Sequence, residues 1–381
     1  MPAYLDSINN KNTIKIQICY EWKIMLNLIY ACLLLISLTS CLIEGGRNIH
    51  RPQDPSTPVI SANWINDTHR YSIKNNFLQE YPFFETFDKE HFFDHYLPMG
   101  QISYRNKPST KVEGTVLAQL IDELIEELDQ KRKLRKLKRD HDFKHFIVLK
   151  KGNFNRKKKY GFIILKFKDY PFVVKLSIET PQSFVNPFKK GFEPTIFFYM
   201  AGGINRHMSG FTRIKNAQHV KNCIAQTQLP VEFDMPRKWF YMPKESQWIE
   251  LHGKNIGVNQ TAYTKIPGTY CIVADAIECE RIYTLLNKED RDISMQLCNA
   301  VKFSIDPHID NFMVEKDTNK VVIIDTEHFP SITGLTDVSN LYTSQISWYA
   351  DLSIKCVKDM FFRDKQTRRT IQRNGTHHYQ L

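Results

Sequence analysis

The chain has 381 residues, 42% of them apolar and 24% charged. That composition belongs to a folded protein with a buried core, and it excludes a mainly disordered, collagen-like or multi-span membrane chain. Lysine and arginine number 52 against 41 acidic residues, a net charge of +11, which calls for an anionic partner: nucleic acid, phosphate or an acidic membrane face.

From the N-terminus, Met25 to Ile43 is an almost uncharged run of 19 residues preceded by Lys11, Lys15 and Lys23. A helix of that length just spans a bilayer. Leu38-Thr39-Ser40-Cys41 is similar to a bacterial lipobox, which makes Cys41 a candidate for acylation and the protein a candidate bacterial lipoprotein. An uncleaved single-pass anchor and a buried core helix are the other readings of 1–43, and initiation at Met25 is a variant of the first. The eight cysteines form no C-x-x-C pair, so a structural zinc site is not expected and buried free thiols are.

Residues 44–110 are aromatic-rich with scattered prolines and read as an irregular wrapping segment with short helices. Leu117, Leu120, Ile121, Leu124, Ile125 and Leu128 recur at helical spacing, so 111–139 reads as an amphipathic helix packed on a core. Strands are predicted at 145–149, 160–167, 170–178, 239–242 and 269–274, helices at 194–202, 280–287 and 291–303, and a hairpin over 311–324 with its turn at Asp317-Thr318-Asn319. The tail over 340–362 is helical in pattern. Gly202-Gly203 reads as a helix C-cap, since no G-x-G-x-x-G follows a strand there.

The motif that carries chemistry lies at 304–329. Asp306 is followed by His308 and Asn311, and a β-run after the hairpin ends in Asp325. Phosphoryl transfer uses one carboxylate to orient or deprotonate the attacking hydroxyl, and an amide oxygen with a second carboxylate to hold magnesium on the phosphates. Here the sequence resembles the protein-kinase-like superfamily, closest to its aminoglycoside phosphotransferase and choline kinase branch. Asp-x-His-x-x-Asn matches Asp306, His308 and Asn311, and Asp325-Thr326-Glu327 matches the choline-kinase pattern after the metal aspartate.

The resemblance implies an α+β, two-lobed kinase-like fold behind the N-terminal hydrophobic segment: an antiparallel-sheet N-lobe over 140–275 and a small, mostly helical C-lobe over 276–381. It implies ATP and Mg2+ as cofactors, a hydroxyl-bearing acceptor, Asp306 with His308 as catalytic residues, and Asn311 with Asp325 as metal ligands. Lys175, at the end of Phe172-Val173-Val174-Lys175 on the third strand, would contact the nucleotide phosphates. Glu193 is its candidate partner by spacing, Gly152 belongs to the phosphate-covering loop, and Ala274 and Ala276 flank the hinge that would meet the adenine. The sequence departs from the pattern at Ser304, where a histidine is usual, and in a loop carrying only Gly152 and Gly161. A pseudokinase that binds nucleotide or a protein partner is the alternative.

The charge surplus is local. Lys131 to Lys159 holds fourteen basic and two acidic residues, +12, so the remainder sums to −1. Nucleic acid is therefore a poor candidate partner, the more so without a helix-turn-helix, RRM or zinc motif. Nucleotide phosphates or an anionic lipid surface fit better. Which side of a membrane the domain faces stays open, and with it whether the protein is exported.

Overall fold

The computed structural model describes residues 59–64, 70–74, 89–133, 143–152, 161–181, 203–256, 259–328 and 344–350. All belong to one unit, Pro55–Leu381. The hydrophobic run at 25–43, Cys41, Glu193, the predicted helix at 194–202 and most of the basic loop lie outside the described residues. Among those described, no helix is long and apolar enough to cross a membrane.

The fold is α+β, with mostly antiparallel sheets and few helices. In chain order the strands are β1 (Val59–Trp64), β2 (Arg70–Lys74), β3 (Gln101–Ser103), β4 (Lys111–Glu113), β5 (Phe146–Gly152), β6 (Gly161–Phe167), β7 (Phe172–Ile178), β8 (Phe233–Asp234), β9 (Lys238–Tyr241), β10 (Trp248–Ile256), β11 (Asn259–Pro267), β12 (Thr269–Asp275), β13 (Cys279–Ile282), β14 (Phe312–Glu315) and β15 (Val321–Ile323). The helices are α1 (Lys89–Asp94), α2 (Gly114–Lys133), α3 (Gly203–Gln226) and α4 (Lys288–Ala300).

A five-stranded antiparallel sheet in the order β5-β6-β7-β12-β9 organises the molecule. Strict alternation in β6 (Ile163, Leu165, Phe167) and β7 (Phe172, Val174, Leu176) sends one set of side chains to one face. There they meet Leu117, Ile121, Leu124 and Leu128 of α2, all nearly solvent-free. These four are members of the predicted apolar stripe, and Leu120 and Ile125 flank them half-buried. Gly114 starts α2 where a Cβ would lie 1.7 Å from the Pro98 carbonyl oxygen, so no side chain fits there.

The opposite face of the sheet carries Lys175, Ile272, Phe240 and Lys238. Helix α3 covers it. Gly210 makes that approach possible: a Cβ there would come within 2.9 Å of the Tyr270 hydroxyl. An interior helical glycine costs about 1 kcal/mol against alanine, and close packing is its compensation. Phe211 then packs on Phe240, ring centroids 5.4 Å apart, and Phe240 stacks on Phe92 of α1 at 4.7 Å. At about 1.5 Å per residue, 24 residues run roughly 36 Å. The C-terminal half of α3 therefore reaches a second core, where Val220, Cys223 and Ile224 meet α4, β14 and β15.

Four sequence expectations are corrected. Residues 44–110 were expected to be irregular, yet they supply β1 and β2, which join β10 and β11 in a four-stranded sheet through Ile60, Ala62, Ile249 and Leu251. A helix was expected over 280–287, but β13 pairs there with β14 across a bulge, so strand pairing overrides local helical pattern. Gly203 opens a helix rather than ending one. The part expected as a mostly helical lobe, 276–381, is also less helical than that: among its described residues, α4 packs on the sheet β13-β14-β15-β8, whose one parallel pair is β15 with β8.

Arg105, in the segment between β3 and β4, reaches across to Asp234 of β8 and Glu315 of β14. Glu315 has no solvent exposure, and it also accepts from Asn106 and Thr318. Removing one partner of a buried ion pair leaves the other charge uncompensated, at about 3 kcal/mol or more. Arg105→Met should lower stability by that order in urea unfolding. Lys288→Ala, which removes an exposed helix-surface pair with Asp292, should cost less than about 0.5 kcal/mol. Equal costs would refute the role given to Arg105.

Candidate functional site

Helix α4 begins at Asn287, whose side chain accepts from the Glu289 amide, and Glu289 with Asp290 complements the helix dipole. It ends at Val301. Lys302 and Phe303 then take φ values of 51° and 55°, in the left-handed region that ordinary side chains avoid at a cost of about 1 kcal/mol or more each. Burial of the Phe303 ring (1% exposed) and its amide bond to the Cys298 carbonyl, 2.7 Å, hold the turn. The turn reverses the chain and delivers Ser304, Ile305 and Asp306 into the interior.

The loop that follows is fastened at several points. Asp306 Oδ1 accepts from the His308 amide at 3.2 Å, and Asn311 Nδ2 donates to the Asp306 carbonyl at 3.1 Å. Tyr349, from the helical stretch 345–350, accepts from the Ile309 amide at 3.2 Å and lies 2.8 Å from His308 Nδ1. The hydroxyl and Nδ1 share one hydrogen bond whose direction follows the imidazole tautomer. Burial lowers the His308 pKa, which favours the neutral ring. Gln345 Nε2 donates to the Pro307 carbonyl at 2.8 Å. The β14–β15 hairpin, turned at Asn319 with φ 56°, then sets Ile324 against Asn311 (N to O 3.0 Å) and brings Asp325 alongside Asp306.

Lys175 enters from the sheet. The register runs Lys150, Ile164, Lys175, Ile272, Phe240 across five strands, so these residues share one row, and Lys150 lies two strands from Lys175. Lys238 comes from β9 and donates to Thr326 Oγ1 at 2.9 Å. The third cation is Arg213 of α3. Its Nε and Nη2 donate to Asp325 Oδ1 and Oδ2, both at 2.6 Å, and Nη2 also pairs with Glu327. This is a bidentate guanidinium–carboxylate fork. One turn along α3, Asn216 Nδ2 donates to the carbonyls of Ser304 (2.6 Å) and Thr326 (3.1 Å), while the Thr326 hydroxyl donates to the Arg213 carbonyl.

Three cations and three carboxylates thus meet in one buried cluster. Burial and then Arg213 push Lys175 down to about 7, and burial pushes Lys238 down to about 8. Burial works against ionisation of Asp325, but Arg213 outweighs it and holds the carboxyl at about 2. Asp306 lacks such a partner: burial, then the Asp325 charge, raise it to about 7. Glu327 is also raised to about 7, by burial against the pull of Arg213. Like charges close together in low dielectric cannot all ionise.

Lys175, Asp306, Asn311 and Asp325 are therefore brought together. His308 sits at the edge of the group, bound by Tyr349, where it positions the loop. Gly152 ends β5, and the covering loop beyond it lies outside the described residues. Ala274 is in the β12 ladder between Val173 and Lys238. The amide of Ala276 donates to the Pro171 carbonyl at 2.8 Å, so that N–H is committed within the fold and does not face an adenine. Arg213, Asn216 and Lys238 were missed. One signal was available: α3 contains no acidic residue and several basic ones, so a cation from it is the group expected to meet the carboxylates of the 304–329 motif.

The donors do not fit a magnesium ion at Asp325. Magnesium demands near-octahedral oxygen ligands at about 2.0–2.1 Å, whereas both Asp325 oxygens are taken by a guanidinium. Among the described residues, no group of three or more His, Cys, Asp or Glu side chains is arranged to hold a metal.

Asp306 offers a stability test. Its folded pKa of about 7 lies above the ordinary 3.8, so between those values the folded state holds a proton that the unfolded state has lost. Stability therefore falls as pH rises through that window. Asp306→Asn removes the ionisation. It should raise Tm at pH 8 by at least about 3 °C, roughly 1 kcal/mol, and the gain should shrink steadily towards pH 4. A Tm difference that does not change with pH would sink this reading.

No family model matches the chain, and no curated protein matches its sequence.

Proposed function

We propose that the protein is a kinase-like phosphotransferase that binds ATP between its five-stranded sheet and the α4–hairpin core and moves the γ-phosphate to a hydroxyl acceptor. One observation carries the reading: a lysine on the third strand of the sheet, the Asp306–Asn311 loop and an aspartate at the end of a hairpin strand, spread over 150 residues of sequence, meet in one buried cluster. Random placement of such motifs would scatter them.

In this reading Lys175, Lys238 and Arg213 offset the charge of the phosphates, and Lys150 extends the cationic row towards the basic loop. Asp306 takes the proton of the acceptor hydroxyl. A carboxylate near 7 suits that role, because a general base works best when its pKa lies close to the working pH. The acceptor oxygen bonds to the γ-phosphorus as the bond from phosphorus to the β,γ-bridging oxygen breaks, and ADP departs with the electron pair. Membrane attachment through residues 25–43, and contact of the basic segment with anionic lipid, belong to the same proposal and rest on sequence alone.

The second reading is a pseudokinase that holds nucleotide, or a protein partner, without transfer. It is favoured by the Arg213 fork on Asp325 and by the absence of acidic residues from α3.

The two separate experimentally. With labelled ATP and a mixture of hydroxyl acceptors, or the protein itself as acceptor, the first reading expects transfer that Asp306→Asn abolishes by at least about a hundredfold, the contribution of a positioned base, while ATP still raises Tm. ATP binding without transfer in the intact protein selects the pseudokinase. Neither binding nor transfer removes both nucleotide readings. Lys175→Met should weaken ATP binding in either case.

A further inference from the structure

We infer that this site takes its nucleotide phosphates without a divalent cation, Arg213 being the resident cation at Asp325. The inference rests on the nucleotide reading above and goes beyond it by assigning the counter-charge.

The guanidinium occupies both aspartate oxygens, one N–H on each at 2.6 Å, the Glu327 amide adds a second donor to Oδ1 at 3.1 Å, and Nη2 of Arg213 also engages Glu327. Arg213 is 11% exposed and Glu327 2%, so water competes little with these bonds. A metal ion at Asp325 would have to displace the fork, strip its own tightly held waters, and settle beside a fixed positive charge.

Moving Arg213 aside is also opposed by its helix. Asn216 bonds two carbonyls on either side of the site, Thr326 bonds the Arg213 carbonyl, and Gly210 and Phe211 press α3 onto Tyr270 and Phe240. The next helical turn offers no acidic side chain that could receive the guanidinium, because α3 has none. What a metal ordinarily supplies to a triphosphate, positive charge at fixed positions, comes in this reading from Lys175 and Lys238, whose depressed pKa values a bound phosphate would draw back up, beside Arg213. Free ATP carries more negative charge than its magnesium complex, so a site built of side-chain cations favours the uncomplexed nucleotide.

The test measures ATP binding to the full-length protein by calorimetry, once in EDTA and once in magnesium chloride. The expected result is binding in EDTA at least as tight as in magnesium, and tighter where magnesium draws ATP away into its complex. Arg213→Gln removes the charge and frees Asp325. In that variant magnesium should strengthen ATP binding at least tenfold, and Arg213→Lys should stay insensitive to the metal. Intact protein that binds ATP more than tenfold weaker in EDTA overturns the inference and leaves the nucleotide reading standing. No ATP binding in either buffer overturns the nucleotide reading, and this inference with it. If Arg213→Gln fails to fold, the two buffers on the intact protein still decide.

Discussion

One buried fork, Arg213 on Asp325, is the contact on which the rest of the arrangement depends. It joins α3, which packs on the five-stranded sheet, to the end of β15, which belongs to the α4 core. An arginine buried to this degree is tolerated only with its charge met, and an aspartate beside two more carboxylates stays ionised only with a cation against it. Each explains the other. The neighbours differ with their contacts: burial raises Asp306 and then the Asp325 charge adds to it, while burial raises Glu327 against the pull of Arg213, and both move up to about 7.

The helix that carries the fork can do so because of how the sheet is covered. Alternation along β6 and β7 gives the sheet one wholly apolar face, and α2 fills it with leucine and isoleucine. The other face mixes Lys175, Lys238, Ile272 and Phe240. Such a face cannot be buried by an apolar helix without stranding two lysines. Helix α3 resolves this by dividing its contacts: Gly210 and Phe211 meet the aromatic patch, Arg213 and Asn216 meet the polar one, and Val220 onwards leaves the sheet for the second core. The strained pair Lys302 and Phe303 then aims the Asp306 loop at the same place from below.

Much of this was legible from local pattern. The short apolar runs of β5 and β12, the alternation of β6 and β7, the apolar stripe of α2 and the asparagine-turned hairpin declare themselves, because each is specified by residues within a few positions of one another. So does the clustering of Asp306, His308 and Asn311. The strands β1 and β2 did not, since they are stable only against β10, and Asn63 and Glu250, which meet there, are 187 positions apart. Likewise 280–287 has helical periodicity, but an available edge at β14 captures part of it as a strand.

The sequence by itself determined which chemical groups exist and how they are ordered along the chain: a lysine on a third strand, an aspartate loop, a hairpin, a final aspartate, and a basic segment carrying nearly all of the +11 surplus. Only the tertiary structure decided what each charge faces. Arg213 and Asp325 lie 112 positions apart, and nothing in the identity of either residue names its partner. Ion pairing depends on distance and burial, and these arise only when two cores are joined by one helix. A carboxylate that the motif reads as a metal ligand therefore stands in the fold as the counter-ion of an arginine.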